Sequence, residues 1–582
     1  MSTRPAAIAD QTGIVPIRLV VGVTGHRTLA QQDKLGEKVQ AALGMIRDIV
    51  KATVEELRKE LKEDLPEIPV VFRVLSPLAE GADRLVAREV LRTPGGQLEA
   101  VLPLAQADYE SDFQSATSPP DSLDEFRKLF AAANLRRELP HPRQRPDAYL
   151  AVGQYVVDHC DILIALWDGE QSAGAGGTGE IFAYAQRNSR PIIWVDTLQW
   201  EKDPLFVKGD GLKLKAIRQI ARYNAESVGA GEFHRDVAAE SERLLVAARE
   251  TGYSPSDLRS ICDYLLPYYV RADRLAQHYR TRYQKTGETL HFCAVAAVAV
   301  LAGQALFLPH RVWPVVLEML VILLGLYLWL RERRGQWQIK YIDYRFLAER
   351  FRATIFMAAA EMERTGLAAP RYLSLTFSES DWVVSAFSAV RDLVPHPIEQ
   401  RNEPGFDRLR RFLCVAWIDH QITYHRSTQE HQEKMGRRGE RYVLVLVFAT
   451  LVSAFLHILT ERHLLGPLGR RLDAGAIWEL LPHWVAWMHV PLQLNLVFTW
   501  LAIVLPALAA AVSAIRNQRE HEKISHRSGE MVINLEELKN AMNEAADRDT
   551  FLDCVREADE TMLYENEDWR VVIRYRANEP LA

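Results

Sequence analysis

Four long apolar runs constrain this chain more than any other feature. They occupy 291–308 (HFCAVAAVAVLAGQALFL), 312–330 (VWPVVLEMLVILLGLYLWL), 442–460 (YVLVLVFATLVSAFLHILT) and 492–515 (LQLNLVFTWLAIVLPALAAAVSAI). Each is long enough for a helix to cross a hydrocarbon layer about 30 Å thick. A buried helix of a soluble protein is the competing explanation, but such helices rarely stay free of charge for so many turns. Glu318 is the single formally charged side chain in the four runs. Four transmembrane helices, paired as two hairpins, are therefore expected, with a lipid bilayer as partner. A plain soluble enzyme is excluded.

The flanking bases set the expected orientation. Arg280, Arg282 and Lys285 precede the first run, and Arg331, Arg333, Arg334, Lys340 and Arg345 follow the second. Lys434, Arg437, Arg438 and Arg441 precede the third; Arg516, Arg519, Lys523 and Arg527 follow the fourth. The two opposite loops hold only Arg311, Arg462, Arg470 and Arg471. The positive-inside bias puts both termini and the central 331–441 segment in the cytoplasm. The first residues, MSTRPAAIADQTG, contain no apolar signal region, so the segment before the first run is expected to stay inside. Five scattered cysteines without a CxxC spacing give neither a disulfide framework nor a metal site.

At 582 residues the chain exceeds one ordinary core, and 48% hydrophobic with 25% charged residues describes a folded protein. The formal charge of −6 leaves no basic footprint for direct nucleic-acid binding. The expected division is 1–200, an N-terminal domain; 201–285, a helical connector; 286–360, the first hairpin with its exit helix; 361–425, a helical insert; 426–545, the second hairpin with flanking helices; and 546–582, a cytoplasmic tail. The first two spans are joined tightly by Pro309-His310-Arg311, whereas Trp478, Trp484 and Trp487 mark 461–491 as an interfacial segment. Each hairpin is preceded by a polar helix and followed by a basic one, a layout compatible with duplication. Glu318 reads either as a pore-lining or interhelical group or as an interfacial carboxylate near a span end.

The first 200 residues follow another pattern. Strand-like runs at 16–23, 69–75, 98–104, 161–167 and 191–195 are separated by helical patterns at 32–62, 80–92, 147–159 and 178–188. Continuous apolar strands between helices predict a mostly parallel sheet covered on both faces. The fold class is thus an α/β Rossmann-like domain followed by an all-α membrane domain, with any ligand at the carboxyl ends of the strands.

Three strand ends carry candidate ligand-binding residues. The first reads Gly22-Val23-Thr24-Gly25-His26-Arg27, where Gly25 admits close backbone approach and His26 and Arg27 are donors suited to phosphate. The same residues also describe a tight turn with solvated bases. The second reads Ser76-Pro77-Leu78-Ala79-Glu80-Gly81-Ala82-Asp83. Glu80 and Asp83 either complement a helix macrodipole or bind ribose hydroxyls, with Gly81 keeping the turn open. The third begins at Asp168 and runs through a small-residue loop to Gly176-Gly177-Thr178-Gly179-Glu180 at a helix start. Its backbone N–H groups suit an anion, and Thr178 serves equally as an N-cap.

The set VGVTGHR, SPLAEGADRLVA and DILIALWDG with GGTGE opening a helix resembles the SLOG superfamily, the Rossmann-like group that contains the DprA/Smf and LOG proteins. The resemblance covers about residues 16–196. It implies that Gly22, Thr24, Gly25, His26, Arg27, Gly81, Asp83, Gly177, Thr178 and Glu180 bind a nucleotide or nucleotide-derived ligand. LOG phosphoribohydrolases carry a PGG-x-GT-x-x-E pattern with a catalytic Glu. Here Glu180 stands two residues after Thr178 and no proline precedes the glycines, a departure that weakens hydrolysis and leaves binding intact. The membrane half looks like the SLATT group, on the strength of Tyr344-Arg345-Phe346-Leu347-Ala348-Glu349-Arg350 after the first hairpin.

Together these resemblances imply a bacterial defence effector in the inner membrane. A nucleotide signal would bind the cytoplasmic domain, and a homo-oligomeric membrane domain would form a pore or disrupt the bilayer. No cofactor or metal is expected. The alternative is a membrane-tethered nucleotide hydrolase or N-glycosidase, with Glu180, Asp83 or Glu80 as acid or base. A transporter ranks last, because both hairpins start and end on one side and offer few polar groups.

Overall fold

The computed structural model describes residues 13–62, 65–115, 118–140, 144–170, 177–207, 214–360, 382–394, 403–461 and 494–574. The chain divides into two compact units, one of Met1–Arg249, Ser254–Ala272 and Leu347–Arg401, the other of Glu250–Tyr253, Asp273–Phe346 and Asn402–Ala582. The interfacial segment expected at 461–491 lies outside the described residues from 462 onward.

In the first unit, β1 (Ile17–Gly25), β2 (Val70–Ser76), β3 (Gln97–Leu102), β4 (Leu135–Glu138), β5 (Ile162–Trp167), β6 (Ile192–Asp196) and β7 (Leu205–Val207) form one sheet in the order β4-β3-β2-β1-β5-β6-β7. All neighbours are parallel except β6 and β7. The apolar runs became strands because both faces are covered: Ile162 through Leu166 are all fully buried. The intervening helices are α1 (Gln32–Leu61), α2 (Ala82–Leu91), α3 (Gln106–Glu110), α4 (Ser122–Ala132), α5 (Arg145–His159) and α6 (Thr178–Arg187). Along α1, Leu35, Val39, Leu43, Ile46, Val50 and Leu57 recur at helical spacing and are buried. The chain builds outward from β1 to β4, then returns to place β5 on the other side of β1. That reversal makes the β1/β5 boundary the switch point where open α/β sheets bind ligands.

The edge strands were not expected. Leu135–Glu138 reads LRRE and is largely exposed, so it carries no apolar alternation, and β7 is three residues long. Charged and short strands at sheet edges avoid intermolecular pairing, and the same property hides them from pattern reading.

The first unit continues through α7 (Leu214–Ala225), most of α8 (Ala230–Thr251), and residues 255–272 of α9 (Pro255–Phe307). After α10 (Trp313–Gly335), residues 347–359 of α11 (Trp337–Ala359) and α12 (Trp382–Arg391) also belong to it. Trp382, Val383 and Phe387 of α12 are buried, and Asp392 just beyond it is held by Arg18 of β1, Arg73 of β2 and Arg391. The Asp392 backbone carbonyl accepts a hydrogen bond from Gln97 Nε2 of β3 at 2.7 Å. Burial pushes this carboxyl up, but Arg391, Arg18 and Arg73 together outweigh burial and hold it well below the ordinary carboxylate range.

The second unit contains the apolar runs. They lie in α9, in α10, in α14 (His420–Glu461) and in α15 (Leu494–Arg519), with α13 (Glu403–Leu413) before α14. At most 17% of each apolar window is buried in the protein. Leu320 and Phe448 are 55% and 68% exposed, a surface that water would not tolerate and a hydrocarbon layer accepts. This is the membrane region of a multi-pass protein. The expected tight turn is present, with Arg311 N–H donating to Leu308 O at 3.0 Å. Two side chains hold neighbouring spans: Trp500 Nε1 donates to Ala299 O at 2.9 Å, and His457 Nδ1 lies 2.9 Å from Thr499 Oγ1. Beyond α15 come α16 (His521–Glu544) and α17 (Arg548–Arg574).

Asp392→Ala leaves Arg18 and Arg73 buried without their shared anion. It is expected to cost on the order of 3–5 kcal/mol locally, read as faster amide hydrogen exchange in β1 and β2. Because the folded carboxyl is depressed, its contribution is present in full above about pH 4. It is lost as pH falls toward the much lower folded value, so the wild-type advantage in exchange protection over the variant shrinks in acid.

Candidate functional site

The carboxyl ends of β1, β2 and β5 surround a cleft of roughly 410 Å³ at the switch point. Its walls are made by backbone contacts that only glycine permits. Gly81 has φ +77°, and a Cβ there would meet Arg27 O at 2.3 Å. A Cβ on Gly25 would lie 2.4 Å from Ala82 Cβ and 2.7 Å from Leu166 O. The loop after β1 is therefore joined to the start of α2 and to the end of β5: Ala82 N–H donates to His26 O at 3.0 Å, and His26 N–H to Leu166 O at 3.2 Å.

Thr24, Gly25, His26 and Arg27 line the cleft together with Asp83, Asp168, Gly177, Thr178 and Gly179. The remaining expected site residues are placed elsewhere. Gly22 packs on α5, where a Cβ would lie 2.8 Å from Cys160 Sγ. Ser76 is fully buried, its hydroxyl accepting the Leu78 N–H at 3.0 Å. Glu80 accepts the Ser122 hydroxyl, away from the cleft wall. Gly81 acts through the loop junction. Glu180 stands in the first turn of α6, its amide donating to Gly177 O at 3.0 Å, and is not among the lining residues. Gly176 lies outside the described residues. Gly177, rather than Thr178, takes the N-cap position of α6, because the glycine is the last extended residue and Thr178 is already helical.

The charged groups are individually constrained. His26 Nε2 lies 3.1 Å from Asp168 Oδ1 and 3.3 Å from the Asp168 amide nitrogen. A protonated ring donates to the carboxylate and a neutral one accepts the amide N–H, so the pair stays together in either state. The Glu170 amide, first, and His26 hold the Asp168 carboxyl below its ordinary range. Asp83 is buried, with Oδ2 accepting the Ala79 N–H at 3.2 Å. Burial pushes its carboxyl up to about 7, against the opposing pull of that hydrogen bond, Arg27 and Arg84.

Four polar or aromatic lining residues were missed from sequence. Tyr109 of α3 is buried, and burial raises its phenol well above the ordinary value. Tyr149 of α5 donates to Asp112, accepts from Arg145 at 3.3 Å, and faces the Arg27 guanidinium at 5.5 Å from its ring centre. Trp167 packs on Phe182 with ring centres 4.8 Å apart, and its indole N–H donates to Glu170 O at 2.9 Å. Glu170 itself completes the wall. Trp167 was readable as the last residue of an apolar strand. The tyrosines come from helices whose placement depends on the sheet order.

The arrangement offers an anion the Arg27 guanidinium, the His26 ring and the N-terminus of α6, lines the same cleft with the aromatic side chains of Tyr149 and Trp167, and places a titratable carboxyl beside them. Among the described residues no group of three His, Cys, Asp or Glu side chains is placed to hold a metal ion. No family model matches the chain, and no curated protein matches it.

Asp83→Asn provides the direct test of this electrostatic environment. The folded wild type binds a proton that the unfolded chain has lost, so its stability relative to the variant should fall as pH rises from about 4 to about 7. The total change is on the order of 4 kcal/mol. A protonated-carboxyl infrared band titrating near pH 7 should be present in wild type and absent in the variant.

Proposed function

We propose that this protein is a nucleotide-sensing membrane effector of a bacterial conflict system. The observation that carries the reading is the cleft at the β1/β5 switch point, where Arg27, His26 and the α6 N-terminus converge beside aromatic faces. The resemblance of the same strand-end motifs to the SLOG superfamily supports it, as does the resemblance of the first hairpin's exit helix to SLATT modules. The ligand is a nucleotide or nucleotide-derived signal, and the output is an oligomeric pore or local disruption of the inner membrane. Both termini would be cytoplasmic, in keeping with the basic residues that flank the spans.

Such a device needs the signal to bind one conformation of the protein better than the other; tight binding alone shifts nothing. Residues 255–272 of α9 belong to the first unit and the rest of that helix to the second. A bias generated at the cleft thus has a covalent route to the first span. One subunit presents four mostly apolar spans, so a conducting path is assigned to a homo-oligomer.

A membrane-tethered nucleotide hydrolase or N-glycosidase is the second reading, favoured by one feature: a cleft carboxyl whose burial gives it the proton affinity of a general acid at neutral pH. Asp83 takes the acid role in that reading, since Glu80 and Glu180 do not line the cleft.

Purified protein in dye-loaded liposomes, screened against linear, cyclic and ADP-ribose-type nucleotides, separates the two. Release triggered by one nucleotide is expected, with Arg27→Ala raising the half-effective concentration roughly 10- to 100-fold. Gly177→Asp, which sets a carboxylate at the α6 N-terminus, should abolish the response with assembly intact. Product formation without release, lost in Asp83→Asn, would assign the enzyme instead.

A further inference from the structure

The bases that flank the spans cease to be equivalent once the second unit is folded. On the second hairpin Arg437 pairs with Glu433, Lys434 with Glu430 at 4.0 Å, Lys523 with Glu520 at 3.6 Å, and Arg519 with Glu288 of α9. Arg438, Arg441 and Arg516 are left over there, with the exposed carboxylate Glu440 next to Arg441. The first hairpin differs. Among the described residues none of Arg280, Arg282, Lys285, Arg331, Arg333 and Arg334 has an ion-pair partner. The two carboxylates nearest to them in the chain are not offered at the surface: Glu288 is taken by Arg519, and Glu332 is buried.

A buried indole gathers cations from two helices. Trp337 opens α11 directly after Gln336, the left-handed residue at φ +49° that ends α10. The Arg282 guanidinium, from α9, lies 5.5 Å from the Trp337 ring centre, and the Arg331 guanidinium, from α10, lies 5.7 Å from it. An arginine over an aromatic ring still has N–H donors for a second partner. Lys285 and Arg334 stand one turn further along the same faces of α9 and α10, and both are exposed. The faces that carry these bases continue into the spans as hydrocarbon-facing surface. Tyr327 and Leu324, one and two turns before Arg331, are exposed, and so is Phe292, two turns after Lys285. Arg331 directly follows the apolar run that ends at Leu330, and Arg333 lies 5.2 Å from the ring centre of Trp329, an aromatic at the headgroup level.

A soluble anion would meet the cations and leave the adjoining apolar surface unused. A zwitterionic headgroup would bring an ammonium to a surface with no carboxylate to receive it. A phosphodiester without a cation, attached to acyl chains, fits both parts. We infer that this end of the first hairpin is a binding surface for anionic phospholipids. The phosphate groups are met by Arg282, Arg331, Lys285 and Arg334, and the acyl chains run along Leu324, Tyr327 and Phe292. The inference rests on the membrane reading alone and is independent of what the N-terminal cleft binds.

Native mass spectrometry of the full chain in non-ionic detergent tests it, with phosphatidylglycerol, phosphatidylethanolamine and phosphatidylcholine added in turn. Phosphatidylglycerol should be retained about tenfold more strongly than either zwitterionic lipid. Arg282→Gln with Arg331→Gln, and separately Lys285→Gln with Arg334→Gln, should each lower that retention roughly 10- to 30-fold. The second pair makes no contact with the Trp337 ring, so its effect is read free of any loss of packing there. Lys434→Gln with Arg437→Gln removes the same charge from the second hairpin and should leave retention unchanged. An equal loss in that control assigns the effect to net charge and overturns the site, as does phosphatidylethanolamine retained as strongly as phosphatidylglycerol. Displacement of the lipid by glycerophosphoglycerol at equal concentration overturns the lipid as occupant and assigns the surface to a soluble phosphate ester.

Discussion

The close approach of three strand-end loops, possible only because Gly25 and Gly81 lack a Cβ, is the constraint on which the N-terminal site depends. With Gly81 at positive φ and 2.3 Å available where a Cβ would sit, the start of α2 can seat directly against the loop after β1. That seating brings Asp83 into the same cleft as Arg27, although 56 residues separate them in the chain. It also removes Asp83 from water, which is why a carboxylate near two arginines has a raised rather than lowered proton affinity. Desolvation outweighs the cations here because the carboxyl is buried, whereas both guanidinium groups are directed partly to other partners: Arg27 to the Tyr149 ring, Arg84 to Ser122 and Leu78.

Asp392 is the instructive contrast. It is as deeply buried, yet its carboxyl is driven the other way, because Arg18, Arg73 and Arg391 contact it directly. Two buried aspartates in one unit therefore divide by geometry: direct ion pairing produces a permanent anion that fixes α12 to the strands, and burial without a contacting cation produces a group that can change charge. Only the second kind is useful in a ligand site, and it is the second kind that lines the cleft.

Sequence revealed what depends on local pattern. The strands β1, β2, β3, β5 and β6 and the four spans were legible because burial on all sides, by protein or by lipid, demands uninterrupted apolar residues. His26, Arg27, Asp83, Asp168 and Gly177–Gly179 were legible because parallel sheets present ligands to strand ends. Glu80 and Asp83 looked equivalent in sequence, three residues apart at one helix start, and only the packing of α4 separates them: Ser122 takes Glu80 while Asp83 faces the cleft. Tyr109 and Tyr149 had no local signal, since the strand order that brings α3 and α5 to the switch point is a tertiary fact.

The energetic demand of signalling bears on which cleft groups matter under the proposed reading. Moving an effector from almost fully silent to almost fully active requires the signal to prefer the active state by about 5.5 kcal/mol. Packing of a ring against Tyr149 or Trp167 supplies roughly 0.5–1.5 kcal/mol beyond area burial, too little alone and nearly indifferent to small shifts of the wall. Charge-assisted hydrogen bonds weaken steeply with distance and angle, so Arg27, His26 and the α6 N-terminus can discriminate between two loop arrangements that differ by an ångström. Arg27 and His26 share one loop, which is joined to the start of α2 at Gly81, so these two would move together. A ligand that contacts all three through one phosphate group would gather the whole difference in a single conformational step, and one that only stacks on the aromatic faces would bind without signalling.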